Sequence, residues 1–128
     1  MNLSLVGRVG WPIATKLQEI IKAHAIPGGC VISFRDADYS SISGGYHPVE
    51  IMVDQHGGIA YITDFSFVGR PPHVELVKEL DFDFSCSRFS QMSNDYPIDV
   101  GHELYLIWSS NFCQYYQSGV YQVTVEEL

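Results

Sequence analysis

The chain has 128 residues, 46% hydrophobic and 13% aromatic, enough for one sizeable core and too apolar for a disordered segment. Its formal charge is −8 with only seven Lys and Arg side chains, so the basic footprint that nucleic-acid backbones demand is missing. No apolar run reaches the roughly 18 residues of a membrane span, and the opening MNLSLVGRVGWPIATK lacks the pattern of a secretory signal. A soluble cytoplasmic protein, associated with neither membrane nor nucleic acid, is expected.

The elements follow in chain order. Ile13, Leu17, Ile20, Ile21 and His24 recur at helical spacing, and Pro12 suits a first helical position, which predicts a helix over 12–24 ended by IPGG. CVISFRD, residues 30–36, reads as a strand. A long turn-rich stretch, ADYSSISGGY, separates it from two strands, 47–54 and 59–68, joined by a hairpin in which Gly57 and Gly58 supply positive φ angles. In PPHVELVKEL, His73, Leu76, Val77 and Leu80 fall at i, i+3, i+4 and i+7, which predicts a short helix. LDFDFS alternates as a strand, 103–117 carries the helical stripe Leu104, Ile107, Trp108, Asn111 and Tyr115, and VYQVTVEE ends the chain as a strand with Tyr121, Val123 and Val125 inward. Aromatic and β-branched content leaves a strand open as the alternative for 103–117. The order α-β-β-β-α-β-α-β implies a single α+β domain over 1–128, with helices packed on one face of a mainly antiparallel sheet. The aromatic helix 103–117 also hints at a homodimer face.

Charge and cysteines narrow the partners. Residues 1–70 hold five basic and six acidic side chains, whereas residues 71–128 hold Lys78 and Arg88 against nine acids. An acidic second half serves solubility or meets a basic protein partner. Cys30, Cys86 and Cys113 form no CxxC pair, so reduced and mostly buried thiols are expected.

The hairpin can be paired residue by residue. With the turn at His56 and Gly57, Val53 faces Ala60, Ile51 faces Ile62, Val49 faces Asp64 and His47 faces Ser66. His47 and Asp64 become diagonal neighbours on one face, roughly 7–8 Å apart in the backbone and within side-chain reach. Such a pair could orient an imidazole as a general base, with His47 and Asp64 the catalytic candidates. Arg35, Asp36, Tyr46 and the 37–46 loop would complete a ligand pocket. The plainer account is that His47 ties the loop down and Asp64 bonds its amides, because buried polar groups must find partners in any case. A metal site on His47, Asp64 and Asp36 has suitable ligand types but no diagnostic spacing, so neither metal nor cofactor is expected. DFD at 81–83 lacks the further ligands of a calcium loop, and no GxSxG, HExxH or phosphate-cradling glycine motif is present.

FRDADYS, GGYHPVEI, ITDFSFVG, ELDFDF and ELYLIWSSNF together resemble the motif series of a bacterial domain-of-unknown-function family, across residues 30–125. The resemblance implies a small single-domain bacterial protein, some relatives being carried on mobile genetic elements, and it brings no activity or site residue. A non-catalytic interaction module, an adaptor or small chaperone for an unidentified protein partner, is the leading expectation. The alternative is a small-ligand binder or enzyme using His47 and Asp64.

Overall fold

Leu17, Ile20 and Ile21, the apolar stripe of the first element, are buried on one side of α1 (Thr15–His24). The computed structural model describes residues 2–128, and the helix begins at Thr15 rather than Pro12. A two-residue strand, β1 (Ser4–Leu5), precedes it, and β2 (Cys30–Arg35) follows. Cys30, Ile32 and Phe34 alternate into the core while Val31 and Ser33 face away. Across the long loop, β3 (Val49–Val53) and β4 (Gly58–Arg70) form the expected hairpin.

The rest of the chain departs from expectation after Arg70. Instead of a helix, residues 73–83 form β5 (His73–Asp83), antiparallel to β4. Two short strands, β6 (Arg88–Gln91) and β7 (Asn94–Pro97), make a further hairpin, and a 3-10 turn (Ile98–Gly101) leads into α2 (His102–Gln117). Thus 103–117 is helical, and β8 (Gln122–Glu127) returns to pair with β2. Among the described residues, eight strands form one open sheet ordered β7-β6-β5-β4-β3-β2-β8, with β1 added parallel to β4.

Both helices lie on the same sheet face. Ile32, Phe34, Ile51, Ile62, Phe82 and Phe89 point from the strands toward Leu17 and Ile21 of α1 and Tyr105, Trp108 and Phe112 of α2. Phe112 meets Phe34 edge-on at 4.9 Å and stacks on Trp108 at 4.9 Å. Burying each such ring is worth roughly 1.5–3 kcal/mol, so α2 is held by its aromatic contacts more than by helix propensity. Cys30 and Cys113 are buried and Cys86 is exposed, all three as free thiols.

One β-bulge corrects the sequence-based pairing of β3 with β4, and a second lies between β4 and β5. In the β3–β4 hairpin, Val49↔Asp64 and Ile51↔Ile62 are as expected, but Val53 pairs with Ile59 and leaves Ala60 as the extra residue. Only Gly57 of the two turn glycines has positive φ (81°); a Cβ on Gly58 would instead press on the Asp54 carboxylate. The second bulge explains the false helix. Leu80 pairs with Asp64 and Lys78 with Phe65, so Glu79 is an insertion in β5. Val77 pairs with Ser66, and Ser66 shares a face with Asp64, so Val77 and Leu80 also share one. That three-residue step occurs in helices and not in regular strands. Lys78 Nζ accordingly reaches Asp81 Oδ2, three residues on, at 3.7 Å.

Candidate functional site

The long loop before β3 is organised by one carboxylate. Asp36 Oδ1 accepts from the Asp38 amide at 2.9 Å, and Asp36 Oδ2 accepts from the Tyr46 amide at 3.0 Å. Gly45 sits against this carboxylate with φ 132°, and a Cβ there would lie 2.9 Å from both Asp36 Oδ2 and Tyr39 Cα. Glycine is therefore required for the loop to close. Tyr39 stacks on Phe67 at 5.0 Å, and its hydroxyl accepts from the Phe67 amide at 3.1 Å. The sheet ladder then extends to Pro48, whose carbonyl accepts from the Phe65 amide at 2.9 Å. His47 is thereby delivered to the end of the sheet, with the edge of Tyr39 against its ring at 5.4 Å.

His47 Nδ1 lies 2.9 Å from Asp64 Oδ1 and 2.7 Å from Glu79 Oε2, so one nitrogen serves two carboxylates. Trp108 Nε1–H donates to the other oxygen of Asp64, Oδ2, at 3.1 Å. Asp64 is mostly buried, while His47 and Glu79 are each about one-third exposed. The hydrogen bond to Asp64 holds the imidazole above its ordinary pKa; partial burial opposes this, and the charges of Asp64 and Glu79 reinforce it. His47 Nε2 makes no hydrogen bond among the described residues.

Beside this cluster a cavity of about 350 Å³ opens between the sheet and α2. Tyr46, Trp108, Phe112, Tyr115 and Tyr121 form its aromatic walls, and His47 and Asp64 are the charged groups at one end. Tyr46 from the loop packs on Tyr115 of α2 at 4.7 Å, closing one side. The volume falls within the range of small-molecule sites, and mostly apolar walls with a few convergent polar groups are their usual makeup.

Of the residues singled out from sequence, Tyr46, His47 and Asp64 line the cavity. Arg35 does not; it is exposed at the end of β2. Asp36 is close in sequence but acts as the loop's amide acceptor, the role expected of Asp64 on the plainer account. The third member of the charged cluster is Glu79, which sequence reasoning missed. Its only signal was an alternation broken between Val77 and Leu80, and that break also imitates a helix.

The family model described as a protein of unknown function (DUF2787) matches residues 13–126, so the chain belongs to that family. Solved structures similar to it include two from Vibrio cholerae. One is the hypothetical protein VC0508 from the Vibrio cholerae VSP-II pathogenicity island, 34% identical, covering 90% of this chain and 94% of that one, with a TM-score of 0.77. The other is the conserved hypothetical protein VC1805 from the V. cholerae pathogenicity island VPI-2, described as sharing structural homology with the human P32 protein. It is 31% identical over 95% of this chain and 100% of that one, with a TM-score of 0.77. No curated protein matches. The relatives agree in fold, and none brings a function.

Proposed function

We propose that this protein is a non-catalytic interaction module whose binding element is the aromatic cavity at the His47–Asp64 end of the sheet. Its occupant is an uncharged planar or branched apolar side chain of a partner protein, with a carbonyl acceptor toward His47. The cavity carries the reading: about 350 Å³, aromatic walls, charge at one end only. Anionic ligands are disfavoured by the net −8 charge of the chain and by two carboxylates against one imidazole.

The same cluster argues against His47 as a general base. A base needs a free lone pair near its operating pH. Two carboxylates on Nδ1 favour the imidazolium, which makes the outward Nε2–H a donor. The test is saturation-transfer NMR with N-acetyl-tryptophan amide and N-acetyl-leucine amide. Binding is expected to wild type and to vanish in Ile107→Trp, which blocks the mouth from an exposed position on α2. Equal transfer to both proteins would sink the proposal.

A homodimer contact through α2 is a second reading, favoured by one observation. Val100 in the preceding 3-10 turn and Leu106 and Ile107 on α2 are about half-exposed apolar side chains. Sedimentation of wild type as a dimer and of Leu106→Glu as a monomer would support it; a monomeric wild type would end it.

A further inference from the structure

We infer that His47, Asp64 and Glu79 form a binding site for one divalent first-row metal ion in octahedral coordination. The three donor atoms, one imidazole nitrogen and two carboxylate oxygens, all lie within 4.8 Å of one another. Adjacent corners of an octahedron with bonds of about 2.1 Å are about 3 Å apart. The Nδ1–Oδ1 and Nδ1–Oε2 separations of 2.9 and 2.7 Å are close to that spacing. Only a small opening is needed, and the partial exposure of His47 and Glu79 leaves room for it.

Three features point to a cation rather than to an ordinary ion pair. First, the bulge inserts Glu79 into β5 beside Leu80, the partner of Asp64, and the Glu79 carboxylate reaches the same His47 nitrogen that Asp64 holds. A regular strand would put residue 79 on the opposite face from Leu80, and re-aiming a side chain is a recurrent use of bulges. Second, neither Asp64 nor Glu79 has a Lys or Arg partner among the described residues, and neighbouring Lys78 is directed to Asp81. Two carboxylates facing one imidazole leave the cluster short of positive charge. Third, Asp64 is oriented from behind by the Trp108 Nε1–H bond, which leaves Oδ1 toward the cluster. Support of that kind is typical of metal ligands.

The mixed nitrogen and oxygen donors suit Mn²⁺, Fe²⁺ or Zn²⁺ and exclude a soft Cu⁺ preference. Three protein donors leave the remaining positions for water or for an atom of a ligand. Binding the metal on Nδ1 displaces the Nδ1 proton to solvent while Nε2 keeps its hydrogen, so the outward donor is the same with or without the ion. His47 and Asp64 belong to both the cluster and the cavity lining, whereas Glu79 belongs to the cluster alone and so separates the two sites by substitution.

The experiment is a Mn²⁺ titration of chelator-stripped protein followed by electron paramagnetic resonance, with paramagnetic broadening of the His47 ring signals by NMR. Mn²⁺ is the probe because the exposed Cys86 thiol competes for Zn²⁺. One ion per chain is expected, with affinity at least about tenfold weaker in both Glu79→Gln and His47→Gln and unchanged in Glu127→Gln. Circular dichroism checks that the variant at Glu79, a position about one-third exposed, is folded, and Asp64→Asn is avoided because Asp64 also holds Trp108. Wild type that binds no Mn²⁺ up to about 1 mM, the weak end of protein sites, overturns the inference. Affinity unaffected by either substitution, or by His47→Gln alone, overturns it equally. Loss of side-chain capture in Ile107→Trp with Mn²⁺ binding intact separates this site from the cavity.

Discussion

One cavity opens along each of two stripes of α2. The first, of about 350 Å³, takes Ile107, Trp108, Asn111 and Tyr115 from the helix and His47 and Asp64 from the sheet. The second, of about 500 Å³, takes Leu106, Ser109, Cys113 and Gln117 from the helix and Thr15 and Lys16 from α1. The second is larger, yet its polar groups do not converge. Ser109 Oγ is buried beside the Cys113 thiol without meeting hydrogen-bond geometry, and burial pushes that thiol's pKa up against the opposing pull of Lys16 and Ser109, which disfavours the thiolate. In the first, Asp64 is bonded through both oxygens and fixes an imidazole and an indole at once. The two cavities differ in the pairing of their polar groups, and it is that pairing rather than volume that favours the first as the proposed site.

Substitutions can break this contrast, the largest effect first. Trp108→Ala should cost about 3–5 kcal/mol in urea unfolding, because it empties a buried aromatic position and strands Asp64 Oδ2. A cost under 1 kcal/mol would mean the wall is not part of the core.

Asp64→Asn should cost about 1–3 kcal/mol. Asp64 accepts from both His47 and Trp108, whereas an amide offers one acceptor and turns an NH₂ toward the other donor. A variant as stable as wild type would contradict this.

The third prediction concerns pH, in metal-free buffer. His47 has a raised pKa in the folded state, owing first to Asp64 and with a contribution from Glu79. Its pairing therefore contributes fully below the unfolded value of about 6.5 and is lost as pH rises through the higher folded value. Unfolding of wild type and His47→Gln, compared across this window, should show the advantage of wild type shrinking toward alkaline pH. A constant gap would mean that the imidazolium contributes nothing to stability.

Ser109→Ala in the second cavity should leave stability within about 0.5 kcal/mol of wild type or raise it. It deletes a buried hydroxyl whose approach to the Cys113 thiol falls short of hydrogen-bond geometry. A marked loss would reveal a partner for Ser109 and weaken the contrast between the cavities.

How far the fold could be read ahead of the structure follows the same divide. Clean alternation in VEIMV and an Asp-Gln-His-Gly-Gly turn made the β3–β4 register legible, and with it the His47–Asp64 contact. That 103–117 is a helix was legible from its spacing, but its buried face was not. The structure buries Tyr105, Trp108, Ser109, Phe112 and Cys113; of the expected stripe only Trp108 is buried, while Ile107 and Asn111 are exposed. β5 was not, because one inserted residue shifts its period from two to three at a single point. The β6–β7 hairpin escaped notice for a different reason. Its strands have four residues each, and its flanking turns place Ser87 and Met92 at φ 55° and 54° where glycine would have given the signal. Glu79 was lost with β5, so only two-thirds of the charged cluster was visible from sequence. The third member of the charged cluster lay where the strand breaks its own pattern.

The most direct measurement maps N-acetyl-tryptophan amide onto the protein by ¹H–¹⁵N NMR, with both cavities as internal competitors. The account predicts shifts at Tyr46, His47, Tyr115 and the Trp108 indole N–H, with Thr15, Lys16 and Gln117 unmoved. Shifts confined to the second cavity, or none at all, would contradict it.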